Sequence, residues 1–351
     1  MEFDMHSSRT MKHATAARAG SLMAISALCG AAAAVGGAVD PVLASGKASV
    51  GSGSAQCSVD KLSGPSGATS SEVTAGSSDG MEQVGYARVD GETEAAWWSN
   101  GEASDLLPDF EEASAAAVSE NIVVGTGVKP GEVERGSYLY YDGETRELEA
   151  PEGQRAEVFD INSEGESVGH GSGGSALRWS LDAEDEPREL SSPHGQAQAL
   201  SIDDTGTVGG SAEGDDGGTV PVIWDSDGEY RQLPVLDGAE HSMVSSISGD
   251  FAIGTSGASP DDSPDVLWNV ADNTVTALPE SIEVNDVNDS GAVAATAEDG
   301  TAAVVDGEEV TELPDLAAGP SKAETISESG EVAGASRDAA GNWHAAIWTG
   351  C

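Results

Sequence analysis

One short pattern recurs along this chain about every 41 residues, and that recurrence limits the fold more than any other property of the sequence. In each copy an apolar stretch ends in a glycine or alanine, at Gly85, Gly125, Gly169, Gly210, Gly254, Ala295 and Gly334, with separations of 39 to 44 residues. An aromatic residue follows, replaced once by valine: Trp98, Tyr141, Trp179, Trp224, Trp268, Val305 and Trp348. In six copies a leucine comes next, at Leu107, Leu148, Leu190, Leu233, Leu278 and Leu313. A period in this range belongs to propellers and solenoids, in which a unit too small to bury its own apolar face stacks on its neighbours.

The fourth copy shows how one repeat makes one blade. Ala197 to Ile202 alternates as a strand, Asp203 to Gly206 reads as a turn, and Thr207 to Gly210 as a second strand. After a polar loop, Pro221 to Trp224 and Tyr230 to Leu233 supply two more, and Pro234 stops the last. The turn recurs as Ile161-Asn-Ser-Glu-Gly165, Ile202-Asp-Asp-Thr-Gly206, Val287-Asn-Asp-Ser-Gly291 and Ile326-Ser-Glu-Ser-Gly330. Asn, Asp and Ser at the head of such a turn bond to nearby amides. The alternate-ligand spacing of a calcium loop is lacking. The expected fold is all-β: a seven-bladed β-propeller of four-stranded antiparallel blades over residues 57–351. Each tryptophan ends an apolar third strand, which predicts a wedge between blades rather than a sugar-stacking platform. Trp97, next to Trp98, must face the other side of its strand.

The run Ile-Asn-Asp-x-Gly-x-Val-x-Gly, then His-Ala-x-x-Trp, then Leu-Pro, resembles the bacterial extracellular repeats called HAF after their His-Ala-Phe triplet. The last copy keeps the histidine, as His344-Ala345-Ala346-Ile347-Trp348, with alanine in place of phenylalanine. The layout is also similar to WD40 blades, and Trp224-Asp225 is the one Trp-Asp pair of that kind at a blade aromatic. The resemblance implies a secreted repeat protein and a strand order, without an activity.

The last copy stops at Trp348-Thr349-Gly350-Cys351, before its fourth strand. The missing strand lies at the other end, where Val59-Asp-Lys-Leu62 matches Val310-Thr-Glu-Leu313 in order and spacing. On that template Cys57 and Cys351 both fall at Glu308, the tip of a hairpin whose turn has been cut. A Cys57–Cys351 disulfide is therefore predicted, with an intermolecular link as the alternative.

Upstream, Arg9, Lys12, His13 and Arg18 precede an uncharged run from Ala19 to Val39, with Val42, Leu43 and Ala44 suited to a peptidase. Residues 1–44 read as a signal peptide and 45–56 as a Gly/Ser-rich tail. Translation from Met11 and retention of the apolar run as a membrane anchor remain alternatives, while the residues before Cys29 do not fit lipidation. Removal of 1–44 takes away equal numbers of acids and bases, so the mature chain keeps the net charge of −47 carried by 62 acids against 15 Lys and Arg. Such a surface repels phosphate backbones and anionic lipid, which excludes nucleic acid and membrane partners after cleavage. A secreted, extracellular monomer is expected.

Candidate sites fall in the loops between second and third strands, which vary from copy to copy: 126–136, 211–219, 255–264 and 336–343. Asp215 and Asp216 in one, and Asp261, Asp262 and Asp265 in another, are candidate cation or ligand groups. Asp160, Ser201, Ser246, Asp286 and Thr325 occupy matching inner-strand positions and are expected to line a central channel. No phosphate loop or paired-histidine zinc motif occurs. No cofactor is assigned, a divalent cation apart. The leading reading is a non-catalytic scaffold for an extracellular protein or glycan. The alternatives are a glycan-cleaving enzyme using channel carboxylates and a structural envelope or matrix component.

Overall fold

The protein is described from a computed structural model over residues 57–351, other than 107–109, 111, 182–186, 193 and 261. The expected signal peptide (1–44) and Gly/Ser-rich tail (45–56) lie outside the described residues, as does Leu107. Among the described residues the chain forms strands and turns and no helix. The strands build antiparallel meanders. The first meander runs Ala68–Gly76, Glu82–Val89, Glu92–Ser99 and Glu102–Asp105. The next five begin with Glu112–Ser119, Ala156–Ile161, Ala197–Ile202, His241–Ser248 and Ile282–Val287. A single parallel pair, Thr219 with His241, links the fourth and fifth edge to edge, and each meander otherwise packs as a sheet of its own. The last sheet combines both ends of the described chain. Ser321–Ile326, Val332–Arg337 and Trp343–Thr349 take Ser58–Lys61 as their outer strand, with Ser58 opposite Thr349 and Lys61 opposite Ala346. Cys57 and Cys351 are disulfide-bonded across the end of that pair, their Cα atoms 4.4 Å apart.

The recurring glycine has a steric cause. In every meander the first strand carries a register shift, for example between Val158 and Asp160, and the glycine of the second strand faces it. A Cβ on Gly169 would lie 1.9 Å from the Glu157 carbonyl oxygen, and one on Gly210 1.9 Å from that of Gln198. The close approach excludes a side chain where the extra residue bends the strand. In the sixth meander Ala295, fully buried, fills the place.

The aromatic repeat works between sheets. Trp98, Trp224, Trp268 and Trp348 are fully buried. Each indole N–H also donates to a backbone carbonyl of the preceding sheet: Trp224 to Ser191, Trp268 to Pro234 and Trp348 to Pro314, at 2.6–2.7 Å. Trp179 does the same to Glu149, and Trp98 to Ser63 at the end of the last sheet's outer strand. The acceptor always follows the repeat leucine, so leucine and tryptophan form one lock in which apolar burial and a satisfied polar tip act together. Two assignments shift by one residue. Tyr140 rather than Tyr141 is paired where the tryptophans sit, opposite Val123, while Tyr141 is exposed. Leu106, buried and bonded to Ala95, takes the part expected of Leu107. Adjacent aromatics and adjacent leucines had made the register ambiguous.

Consecutive sheets share their cores. The cluster of Leu62, Val73, Trp98, Ala333 and Ala345 joins the first sheet to the last. Trp97 faces the other way, as its neighbour's position requires, and packs with Val84, Val118 and Val123 between the first and second sheets.

Candidate functional site

The inner strands surround a cavity of about 260 Å³. All five expected lining residues, Asp160, Ser201, Ser246, Asp286 and Thr325, stand on its wall. Each directly follows the register shift of its strand, which aligns them. The corresponding residues of the first two strands are Ala75 and Ala117, so the polar belt is incomplete.

The belt is a set of staples. Asp160 Oδ2 accepts from the Ser201 hydroxyl at 2.8 Å and the Ile202 N–H at 2.9 Å, and Oδ1 accepts from Ile161 N–H. Ser201 accepts in turn from Ile247 N–H. Asp286 takes the Ser246 hydroxyl at 2.7 Å on one oxygen, and the Thr325 hydroxyl and Ile326 N–H on the other. Every one of these bonds but that to Ile161 crosses from one sheet to the next. A carboxylate so occupied has its lone pairs committed to holding strands together and is poorly placed for proton transfer to a substrate.

Residues missed by sequence reasoning bridge the end of the cavity formed by the short turns. Asp204 receives the Ser163 N–H at 2.8 Å and, from the first sheet, the Ser78 hydroxyl at 2.7 Å. Glu328 receives the Ser248 hydroxyl at 2.5 Å and the Asp289 N–H at 2.7 Å, while its own N–H donates to Ser78 O. These bonds tie six turns over one mouth. Burial pushes the Asp204 carboxyl upward, but the Ser163 and Ser78 donors outweigh it and hold it below the usual range. For Glu328 burial prevails over the Ser248 bond and the carboxyl is raised. The sequence signal was available in the turn motif: the second turn residue is the acid that reaches across.

The turns themselves are self-capped. The Asp203 carboxylate accepts from Thr205 and Thr207 amides at 2.9 and 2.8 Å, and Asn162 and Asn288 accept likewise. Asn162 and Asn288 also donate their amide N–H to the next sheet, to Asp203 O and Ser327 O, both at 3.1 Å. Asp203 has no such proton to give when ionised, and its buried Oδ2 finds no hydrogen-bond partner.

The described loop acids each have a local partner. Asp215 contacts His194 at 2.9 Å and Asp216 caps Gly218 N–H. Asp262 closes a local bridge with Ser259. Asp261 lies outside the described residues. Asp265 belongs to the start of a strand rather than a loop. Burial pushes its carboxyl up to about 6, against the Val284 N–H bond from the following sheet and with help from Glu283. Among the described residues no group of three or more His, Cys, Asp or Glu is arranged to hold a metal ion. His344 of the HAF-like triplet is buried, with Nε2 2.8 Å from Asp338 Oδ2 across its own hairpin.

No protein-family model matches the chain, and no curated protein does. The HAF resemblance therefore rests on its motif residues alone. Among solved structures, the chain is similar to that described in a structural and mechanistic analysis of two prolyl endopeptidases, with TM-score 0.52 and 13 % identity over 77 % of this chain. It spans less than half of that protein's length, 46 %. TolB from Acinetobacter baumannii matches with TM-score 0.43 and 10 % identity, over 73 % of this chain and 75 % of that one. A putative TolB from Agrobacterium tumefaciens matches with TM-score 0.41 and 15 % identity, over 56 % and 74 %. The fold is a β-propeller. Likeness at these identities concerns the fold and carries no chemistry over.

Proposed function

We propose that this protein is a secreted, acidic, non-catalytic propeller of seven blades, closed by its own N-terminal strand, that presents its long loops to an extracellular protein or glycan. The observation that carries the reading is the state of the channel acids: the oxygens of Asp160 and Asp286 are engaged by neighbouring strands. The bridged mouth leaves the opposite end, where the variable loops lie, as the side on which a partner is met. The Cys57–Cys351 bond suits an oxidising compartment, as extracellular or envelope proteins occupy. A net charge of −47 suits a monomer that resists self-association.

The test is a glycan and divalent-cation binding screen of the full chain, run beside an assay for reducing ends and unsaturated products. Binding without product is the expected result. Product release that disappears in Asp160→Asn or Asp286→Asn would replace the scaffold with a glycan-cleaving enzyme. Salt-dependent folding with no ligand in the screen would favour a structural envelope component instead.

A further inference from the structure

Positive groups are scarce in this molecule, yet two converge on one indole. Arg337 closes the second strand of the last sheet and Trp343 opens the third, directly opposite it across the 338–342 hairpin. The Arg337 guanidinium carbon lies 4.7 Å from the centroid of the Trp343 ring, and the Lys322 ammonium lies 5.2 Å from the same centroid. Lys322 is also 3.8 Å from Glu72 of the first sheet. Arg337 differs from the other cross-sheet arginines. Arg146, Arg178 and Arg231 fill their donors with carbonyls of the next sheet. Among the described residues the Arg337 side chain has no hydrogen-bond or ion-pair partner, and its Nε is buried without an acceptor. The buried Nε–H is left without an acceptor at a cost, and the half-buried side chain is held by stacking on the indole.

We propose that Arg337, Lys322, Trp343 and Glu72 form a binding subsite for an acidic sugar, on the loop side of the seam between the last and first sheets. A ring carboxylate supplies the planar pair of acceptors that the Arg337 fork lacks. The indole offers an apolar edge to the sugar C–H groups. Glu72, largely buried and facing Lys322, accepts from sugar hydroxyls but repels a second carboxylate. That arrangement selects a ring with one acid and several hydroxyls over a simple carboxylate or a polyacidic peptide. The proposal rests on the scaffold reading and names the ligand class for one part of its loop face.

The experiment titrates the full chain with glucuronic acid, its neutral methyl ester and tetraglutamate, read by calorimetry and by indole fluorescence. The expected result is binding of the acid about tenfold or more tighter than of the ester. Arg337→Ala should abolish the difference, and Arg337→Lys should restore part of it, since an ammonium keeps the charge but loses the fork. Trp343→Phe should remove the fluorescence change while the melting temperature stays within a few degrees, which separates loss of the site from loss of the fold. Equal affinity for acid and ester overturns the proposal. So does retention of binding in Arg337→Ala, preference for tetraglutamate, or no binding of glucuronic acid at 10 mM, about the weakest affinity worth calling a site. Binding of some other glycan that Arg337→Ala leaves untouched would sink this subsite and leave the scaffold reading standing.

Discussion

The seam between the third and fourth sheets and the seam between the last and first are held by different means. At the former, a chain of polar side chains adds to the shared apolar core. Asp160 reaches Ser201 and Ile202, Asn162 reaches Asp203, and Arg178, paired with Glu166, reaches Gly206 and Ser226. At the latter the belt position is Ala75, and the polar bonds include Trp98 N–H on Ser63 O, Ala345 N–H on the Ser71 hydroxyl, Glu328 N–H on Ser78 O, and the long Lys322–Glu72 pair. The chain runs directly from the third sheet into the fourth. From the last sheet to the first, it is connected only through the four-residue strand Ser58–Lys61 and the disulfide at its foot. A short outer strand frays unless it is tied down, so the covalent link does at one seam what side chains do at the other.

The largest test of that contrast is removal of the link. Cys57→Ser with Cys351→Ser, or reduction, should cost several kcal/mol, with about 6 kcal/mol as the chain-entropy upper bound. Hydrogen exchange should show Ser58–Lys61 and the last strand losing protection first, ahead of the third and fourth sheets. An unchanged melting temperature would show that apolar packing alone closes the seam. Next, Trp98→Phe and Trp224→Phe remove the same lock from the two seams. Each should cost about 2 kcal/mol, from lost volume and a carbonyl left without its donor. A much larger loss at Trp98, measured by denaturant unfolding, would mean the closing seam has no reserve beyond its tryptophan.

Smaller effects refine the polar side. Asp203→Asn keeps the acceptor for Thr205 and Thr207 and adds the donor that Asn162 and Asn288 use, so it should stabilise by about 1 kcal/mol in a neutral-pH melt. No gain would show that Asp203 already finds a donor in solution. Asp265 ties the fifth and sixth sheets with a carboxyl raised by burial to about 6 from an ordinary value near 3.8. Because the folded state holds the proton more tightly, its contribution is present below pH 4 and is lost as pH rises through 6. Asp265→Asn should therefore match the parent protein near pH 4 and exceed it by about 1 kcal/mol at pH 7, after discounting for partial exposure. A pH-independent difference would remove the titration from the account.

Much of this architecture could be read from residues. The glycine spacing located the repeats, the turn residues located the hairpins, and the matching of Val59–Leu62 to Val310–Leu313 located both the completing strand and the disulfide. The channel belt was legible because its members sit eight or nine residues before the repeat glycine or alanine. The role of the belt was not. Asp160 and Asp286 look alike as catalytic acids or as staples until the Ser201 hydroxyl and the Ile326 N–H are seen on their oxygens. The partners of the loop acids were equally illegible: Asp215, Asp216, Asp262 and Asp265 share a charge in sequence, but each has a different local partner in space.

Period, turn chemistry and half-buried strands are local properties, set within one repeat by sterics and apolar burial, and the sequence by itself determined them. Which groups face one another across a seam is a distance between repeats some 40 residues apart or, at the closing seam, nearly 300. Hydrogen bonds act over about 3 Å, so only the tertiary structure decided that Ser78 meets Asp204, that Lys322 meets Glu72, and that the channel carboxylates hold the fold together.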